Sequence, residues 1–329
     1  AGPARVSPAI GWIRRWGISI ASLIGGLLTL FVFRRGLPNV GWIVGYLLLL
    51  WLLFAVLTQL RQALEARARL VVVAADYTIQ TLYHGLLLFV LPAYYASATV
   101  TSVNIGFVAV LAALALLATF DPWWQALVHP RPWVVYVFFV VAIFAALNVA
   151  LPLVGMPPYA ALVLSAFLSV VALTPVVRRA RELAWPIAAR FTVAAAILAA
   201  SLAALGRAWV PPVPLTLAGA SLAWATASVE SLEPEPSRIP AGELHERGLT
   251  AYTAIYAPAG LRQPIEHIWR QEGVIINVVR LSPVLGGRRE GFRTYSRKTE
   301  FPADPRGWWS IDVVTASGQL IGRLRFHVA

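Results

Sequence analysis

Asp76, Gln80 and His84 recur at i, i+4 and i+8, so on a helix they share one face, with Tyr83 beside it. A stripe of this kind inside an apolar run can do one of two things. It can form a proton or ion path, or a polar pocket for a lipid headgroup. Alternatively it ties neighbouring helices together, at about 0.6 kcal/mol per contact. A carboxylate near the middle of a bilayer costs about 2.5–3.5 kcal/mol on insertion scales, so Asp76 needs a partner or water. Asn104 and Asn148 are further polar residues within apolar segments. Asp121-Pro122 has the composition of a helix start, and Trp123 and Trp124 after it fit a short helix lying on a membrane surface.

A second constellation lies near the C-terminus. His267 and Trp269 are two apart and would share one face of a strand; Arg293, Tyr295 and Arg297 would share another. Aromatic rings beside Arg and His can stack on a sugar ring or grip an acidic group. The competing reading makes Trp269 and Trp309 core residues of a sandwich. No catalytic residues can be assigned: a Gly-rich phosphate loop, a nucleophile elbow, a zinc helix and paired carboxylates are all missing. No cofactor motif is present, no His, Asp or Glu cluster has metal-ligand spacing, and the lack of Cys excludes thiolate chemistry and disulfides.

The elements that must carry these residues change in kind near residue 207. Apolar residues make up 59 % of the chain and charged ones 13 %, far below the roughly 25 % charged of soluble domains. Before the break, seven long apolar runs predict transmembrane helices: Gly17–Phe33, Val40–Leu60, Leu70–Ser97, Val103–Phe120, Trp133–Val154, Tyr159–Val177 and Pro186–Gly206. The net charge of +12 is concentrated in this half, where it flanks the runs, so it reads as membrane topology and not as a nucleic-acid surface. Counting loops, 10 Arg fall on one side and 3 on the other. The rich side holds the N-terminus and should be cytoplasmic. Seven spans then put the C-terminal domain outside, in the periplasm of a cell with two membranes.

After a Pro-rich exit at 208–218, the residues 219–329 read as strands: Ser221–Glu230, Leu249–Tyr256, Pro264–Arg270, Val274–Leu281, Gly291–Phe301, Trp308–Thr315 and Leu320–Val328. The exit is either a stiff polyproline-like spacer or an ordinary helix stop. Leu232–Arg247, rich in Pro and Glu, reads as a surface loop, and Gln271-Glu272-Gly273 as a hairpin connection. The predicted fold is therefore an all-α membrane domain of seven helices over 1–207, followed by an all-β immunoglobulin-like sandwich.

Two groups of motifs resemble a family of uncharacterised proteobacterial multi-pass inner-membrane proteins with a C-terminal β-rich domain of unknown function. The first is Tyr77-Thr78-Ile79-Gln80-Thr81-Leu82-Tyr83-His84 with Phe89, Pro92, Tyr94, Tyr95 and Phe120-Asp121-Pro122. The second runs through Glu230, His267, Trp269, Arg293, Ser296, Lys298, Gly307-Trp308-Trp309, Gly318-Gln319-Leu320 and Phe326-His327-Val328. Phe292 departs from the pattern, which has Trp before the Arg. The resemblance implies location in the bacterial inner membrane and brings no activity with it. The leading expectation is a non-enzymatic envelope scaffold or binding protein whose partners are the bilayer and an envelope protein or glycan. The alternative is a transporter or membrane enzyme for a lipid-linked substrate, centred on the Asp76 stripe. A sensor with an external ligand site is a third reading, and no cytoplasmic output domain accompanies it.

Overall fold

The computed structural model describes residues 45, 48–56, 59, 69–224 and 238–329. The described residues form two compact units. The first takes in those up to Pro92, Val108–Ala150 and Leu162–Ala203; the second takes in Ala93–Phe107, Leu151–Ala161 and those from Ala204 onward.

The first unit is helical. Its long elements are α1 (Arg69–Ala96), α2 (Ile105–Thr119), α3 (Pro132–Leu153), α4 (Pro158–Val171), α5 (Thr174–Ala180) and α6 (Trp185–Leu205), and residues 48–56 are helical as well. Pro132, Pro158 and Pro186 all sit within the first two positions of their helices, where the missing N–H costs nothing. Buried alanines (Ala142, Ala145, Ala146, Ala166, Ala188, Ala196) let helix backbones approach closely. Aromatic rings fill the wider gaps: Phe54 stacks on Phe139 at 4.3 Å, and Tyr83 packs on Phe138 at 5.7 Å.

Among the described residues three helices are long and apolar enough to cross a membrane: Pro132–Leu153, Pro158–Ala180 and Trp185–Leu205. A fourth exists only if Ile105–Thr119 and Asp121–Val128, bent by 95°, count as one span. Of the seven expected spans, the described residues supply three or four candidates. The run Gly17–Phe33 and much of Val40–Leu60 lie outside the described residues. Helix α1 is long enough at 28 residues, but its polar stripe dilutes the apolar run. Helix α2 has only 15 residues, about 22 Å, short of the roughly 30 Å of a hydrocarbon core.

In the second unit two sheets face one core. One has the order β1 (Thr216–Trp224), β3 (Leu249–Tyr256), β8 (Phe292–Lys298). The other has the order β2 (Arg238–Ile239), β10 (Leu320–Val328), β9 (Gly307–Thr315), β5 (Ile265–Gln271), β6 (Val274–Arg280). The short pair β4 (Arg262–Gln263) and β7 (Val284–Leu285) stands apart. All pairings are antiparallel except β2 with β10. Trp269, Trp309, Ile311 and Phe326 from one sheet and Leu222, Leu249 and Ile255 from the other form a single buried cluster. Trp309 and Phe326 stack at 5.9 Å and 13° within it.

Local chemistry sets the corners. Gln271 pairs with Val274, leaving a two-residue turn in which Glu272 (φ 48°) and Gly273 (φ 82°) are both left-handed. That is the turn whose twist matches a hairpin, and Gly is favoured there because it lacks a Cβ. The segment 232–247 is not wholly a loop: it contains β2 and a helix α7 (Ala241–Arg247), whose Leu244 is buried in the core. The first strand begins at Thr216, inside the stretch expected to be an exit linker.

Candidate functional site

The helical stripe divides. Gln80 and His84 are buried, whereas Asp76 is only partly so. Gln80 Nε2 donates to the Ala118 carbonyl at 3.1 Å and to the Asp121 carboxylate at 2.8 Å. His84 Nδ1 lies 2.7 Å from Thr119 Oγ1, which itself donates to the Ala115 carbonyl. These bonds gather at the C-terminal end of α2, where the last carbonyls have no intrahelical donor. Gln80 of α1 therefore caps α2, and His84 ties α1 to the side chain of its last residue. Asp76 is one turn away from that junction, and Asn104 belongs elsewhere: it accepts from the Thr99 N–H at 3.1 Å and lies 3.4 Å from the Leu320 carbonyl in the second unit. Tyr83 is fully buried, and its hydroxyl has no hydrogen-bond partner among the described residues.

Asp121 does not cap its helix. Phe120 occupies that position without a side-chain bond, and the Asp121 carboxylate turns to Gln80 instead. The two tryptophans also part company. The π-turn Trp124–Val128 rotates Trp124 inward against Tyr83 and Phe138, while Trp123 stays exposed.

The C-terminal constellation divides as well. His267 and Trp269 are both 0 % exposed, so neither belongs to a binding surface. Their strand β5 turns them toward the opposite sheet, where β3 and β8 supply hydroxyls. Trp269 Nε1 donates to Ser296 Oγ at 3.0 Å, Ser296 Oγ is 2.8 Å from His267 Nδ1, His267 Nε2 is 3.1 Å from Thr253 Oγ1, and Thr253 Oγ1 is 2.8 Å from Thr294 Oγ1. Each neutral tautomer threads the chain in one direction: Ser296 to Nδ1 with Nε2–H to Thr253 and on to Thr294, or Thr294 to Thr253 to Nε2 with Nδ1–H to Ser296. Burial lowers the His267 pKa from 6.5 to about 4, so the ring is neutral at pH 7. This is a structural bridge between the sheets.

Arg293, Tyr295 and Arg297 emerge on the other side of β8, and all three are exposed. Tyr295 pairs across to Tyr252 on β3, with ring centroids 5.7 Å apart. Arg293 and Arg297 sit opposite Ala254 and Thr250, short side chains that leave both guanidinium groups open. The nearest carboxylate to Arg293 is Glu290, at 3.9 Å between side chains that are each about four-fifths exposed. The result is a Tyr pair flanked by two cations, able to stack on a flat group and to hold carboxylates by forked hydrogen bonds.

Three features escape a reading of single residues. Thr253, Thr294 and Ser296 matter only because the sheets oppose them to His267. Asp312 is 3 % exposed on the outer face of β9 and is held by Arg323 and by Arg270 Nε at 3.1 Å. Lys298 is buried, and burial lowers its pKa against the opposing pull of Glu300. The alternation of β8 announces which of its residues face inward; the cross-sheet partners are fixed only by the pairing of β3 with β8.

Two families match the chain. One, described as a family of unknown function (DUF5924), covers residues 4–251, and a protein of unknown function (DUF2914) covers residues 262–328. The first spans most of the sequence, so the chain belongs to that family. Its match ends within β3, so the family boundary divides the three-stranded sheet. Neither curated proteins nor solved structures gave a match.

Proposed function

We propose that the chain is a non-enzymatic binding protein of the bacterial inner membrane, anchored by seven helices with its N-terminus cytoplasmic. Its periplasmic domain is an immunoglobulin-like sandwich that binds an envelope protein or glycan carrying acidic groups. The observation that carries this reading is the exposed row Arg293–Tyr295–Arg297 beside Tyr252. The strand orders β1-β3-β8 and β10-β9-β5-β6 support the sandwich assignment, since they correspond to sheets A-B-E and G-F-C-C′ of that pattern. Fold does not fix function, so the case rests on the row and not on the sandwich. The stripe on α1 supports an anchoring role for the helices, because Gln80 and His84 spend their hydrogen bonds on α2 and Asp121.

The orientation is tested by a reporter active only outside the cytoplasm, fused after Ala329. Activity is expected. A silent but well-expressed fusion would mean that the number of spans is even and that the domain faces the cytoplasm.

A further inference from the structure

Within the helical unit an open groove of about 730 Å3 runs along a broken helix, a size within the roughly 300–1,000 Å3 of small-molecule sites. The break has a cause. Pro175 has no N–H to give Val171 and clashes with its carbonyl, so α4 stops at Val171 and α5 begins at Thr174. The Val176 N–H bonds Leu173, which leaves Ala172 unpaired along the helix. Side chains take up the two freed carbonyls: Thr174 Oγ1 donates to Val171 at 2.6 Å and Trp51 Nε1 to Ala172 at 3.3 Å, while Gln59 Nε2 donates to the Pro175 carbonyl at 2.8 Å. The kink is thus held open by residues that also line the groove.

The lining is otherwise apolar and includes Trp51, Val56, Leu168 and Trp185. Arg178 adjoins two of the lining residues, Gln59 and Trp185. Its Nη1 donates to Gln59 Oε1 at 2.6 Å, its guanidinium carbon lies 4.8 Å from the centre of the Trp185 ring, and its Nε is buried with no acceptor among the described residues. Between residues 178 and 190 the charges are Arg178, Arg179, Arg181 and Arg190 against Glu182 alone.

We propose that this groove is a binding site for an anionic phospholipid, with an acyl chain against Trp51, Val56, Leu168 and Trp185 and the phosphodiester beside Arg178. An apolar groove facing lipid holds an acyl chain by van der Waals packing, since a chain already in the bilayer gains nothing by leaving water. A guanidinium beside it adds selectivity, because it meets phosphate with a planar fork of donors. Basic sites between transmembrane helices bind anionic headgroups in this way. The inference rests on the reading that these helices lie in a bilayer.

Native mass spectrometry of the full-length protein, released from micelles containing equal phosphatidylglycerol and phosphatidylcholine, tests it. The wild type should retain one phosphatidylglycerol with about fivefold preference, the size expected for one Arg near an anionic headgroup. Arg178→Ala should remove the preference, and Arg178→Lys should keep part of it. Ala55→Phe, which fills the groove, should lose retention of either lipid; Val56→Trp serves the same purpose if the first variant does not fold. Equal retention of both lipids by the wild type, undiminished retention by the filled variants, or equally tight binding of glycerol 3-phosphate without acyl chains would overturn the proposal. Recovery of the protein in the aqueous fraction without detergent would instead sink the membrane reading beneath it.

Discussion

His267 shows how one residue reports its surroundings through pH. In the folded domain its pKa is about 4, against 6.5 for a free imidazole. Between those values the unfolded chain takes up a proton that the folded one refuses. Stability from this group is therefore complete above about pH 6.5, falls as the pH drops toward 4, and levels off below. The loss is roughly 3 kcal/mol at an order-of-magnitude level. Thermal unfolding of the full-length protein, followed by Trp fluorescence, should give a lower Tm at pH 4.5 than at pH 7. His267→Gln should lower Tm at pH 7 yet flatten most of that acid dependence. An equally steep decline in the variant would mean that His267 does not carry it. The spacing of His267 and Trp269 correctly puts them on one face of a strand, but spacing alone cannot say which face is covered. The hydroxyls of Ser296 and Thr253 decide that, from positions 29 and 14 residues away.

At the scale of elements, strands and helices differ in how much of themselves they disclose. Strand β10, Leu320–Val328, alternates because one face is buried and the other is not, and its limits in the structure coincide with the alternating run. Strand β6 is different: Val274, Ile275, Ile276 and Val278 are all exposed on an edge, so β-branched residues identify the strand without indicating a core face. This difference has an energetic consequence. Ile311→Ala, at a site 0 % exposed, should cost about 2–5 kcal/mol, while Ile275→Ala, 51 % exposed, should stay within about 0.5 kcal/mol. Denaturant unfolding of both variants measures the contrast; equal losses would place β6 in a buried environment. Helix breaks are far less legible. The run Tyr159–Val177 does correspond to one candidate span, Pro158–Ala180, but its division at Pro175 into α4 and α5 is hidden because apolar residues persist across Ala172 and Leu173. The 95° bend after Thr119, by contrast, falls where the apolar run ends at Phe120.

For the molecule as a whole, the change of composition near residue 207 marks where helices give way to strands, since sustained hydropathy and period-two alternation are opposite patterns. The elements that belong together are less evident. The segments Ala93–Phe107 and Leu151–Ala161 cluster with the strands and not with the helical unit, and Asn104 is hydrogen-bonded to Leu320 across more than 200 residues of sequence. Polar residues at the ends of apolar runs thus have two kinds of employment: Gln80 and His84 join helices, and Asn104 joins loop to strand. The exposed row Arg293–Tyr295–Arg297 beside Tyr252, its Arg293 paired to the exposed Glu290, is the centre of the proposed function. The most direct test is photocrosslinking in intact cells, with p-benzoylphenylalanine in place of Tyr295 and, as a control, in place of exposed Trp308 on the other sheet. A discrete adduct is expected at position 295 that disappears when Arg293 and Arg297 are both changed to Ala, and none of comparable yield at 308. A discrete adduct at 308 with none at 295, or one at 295 that survives loss of both arginines, would contradict the proposed function.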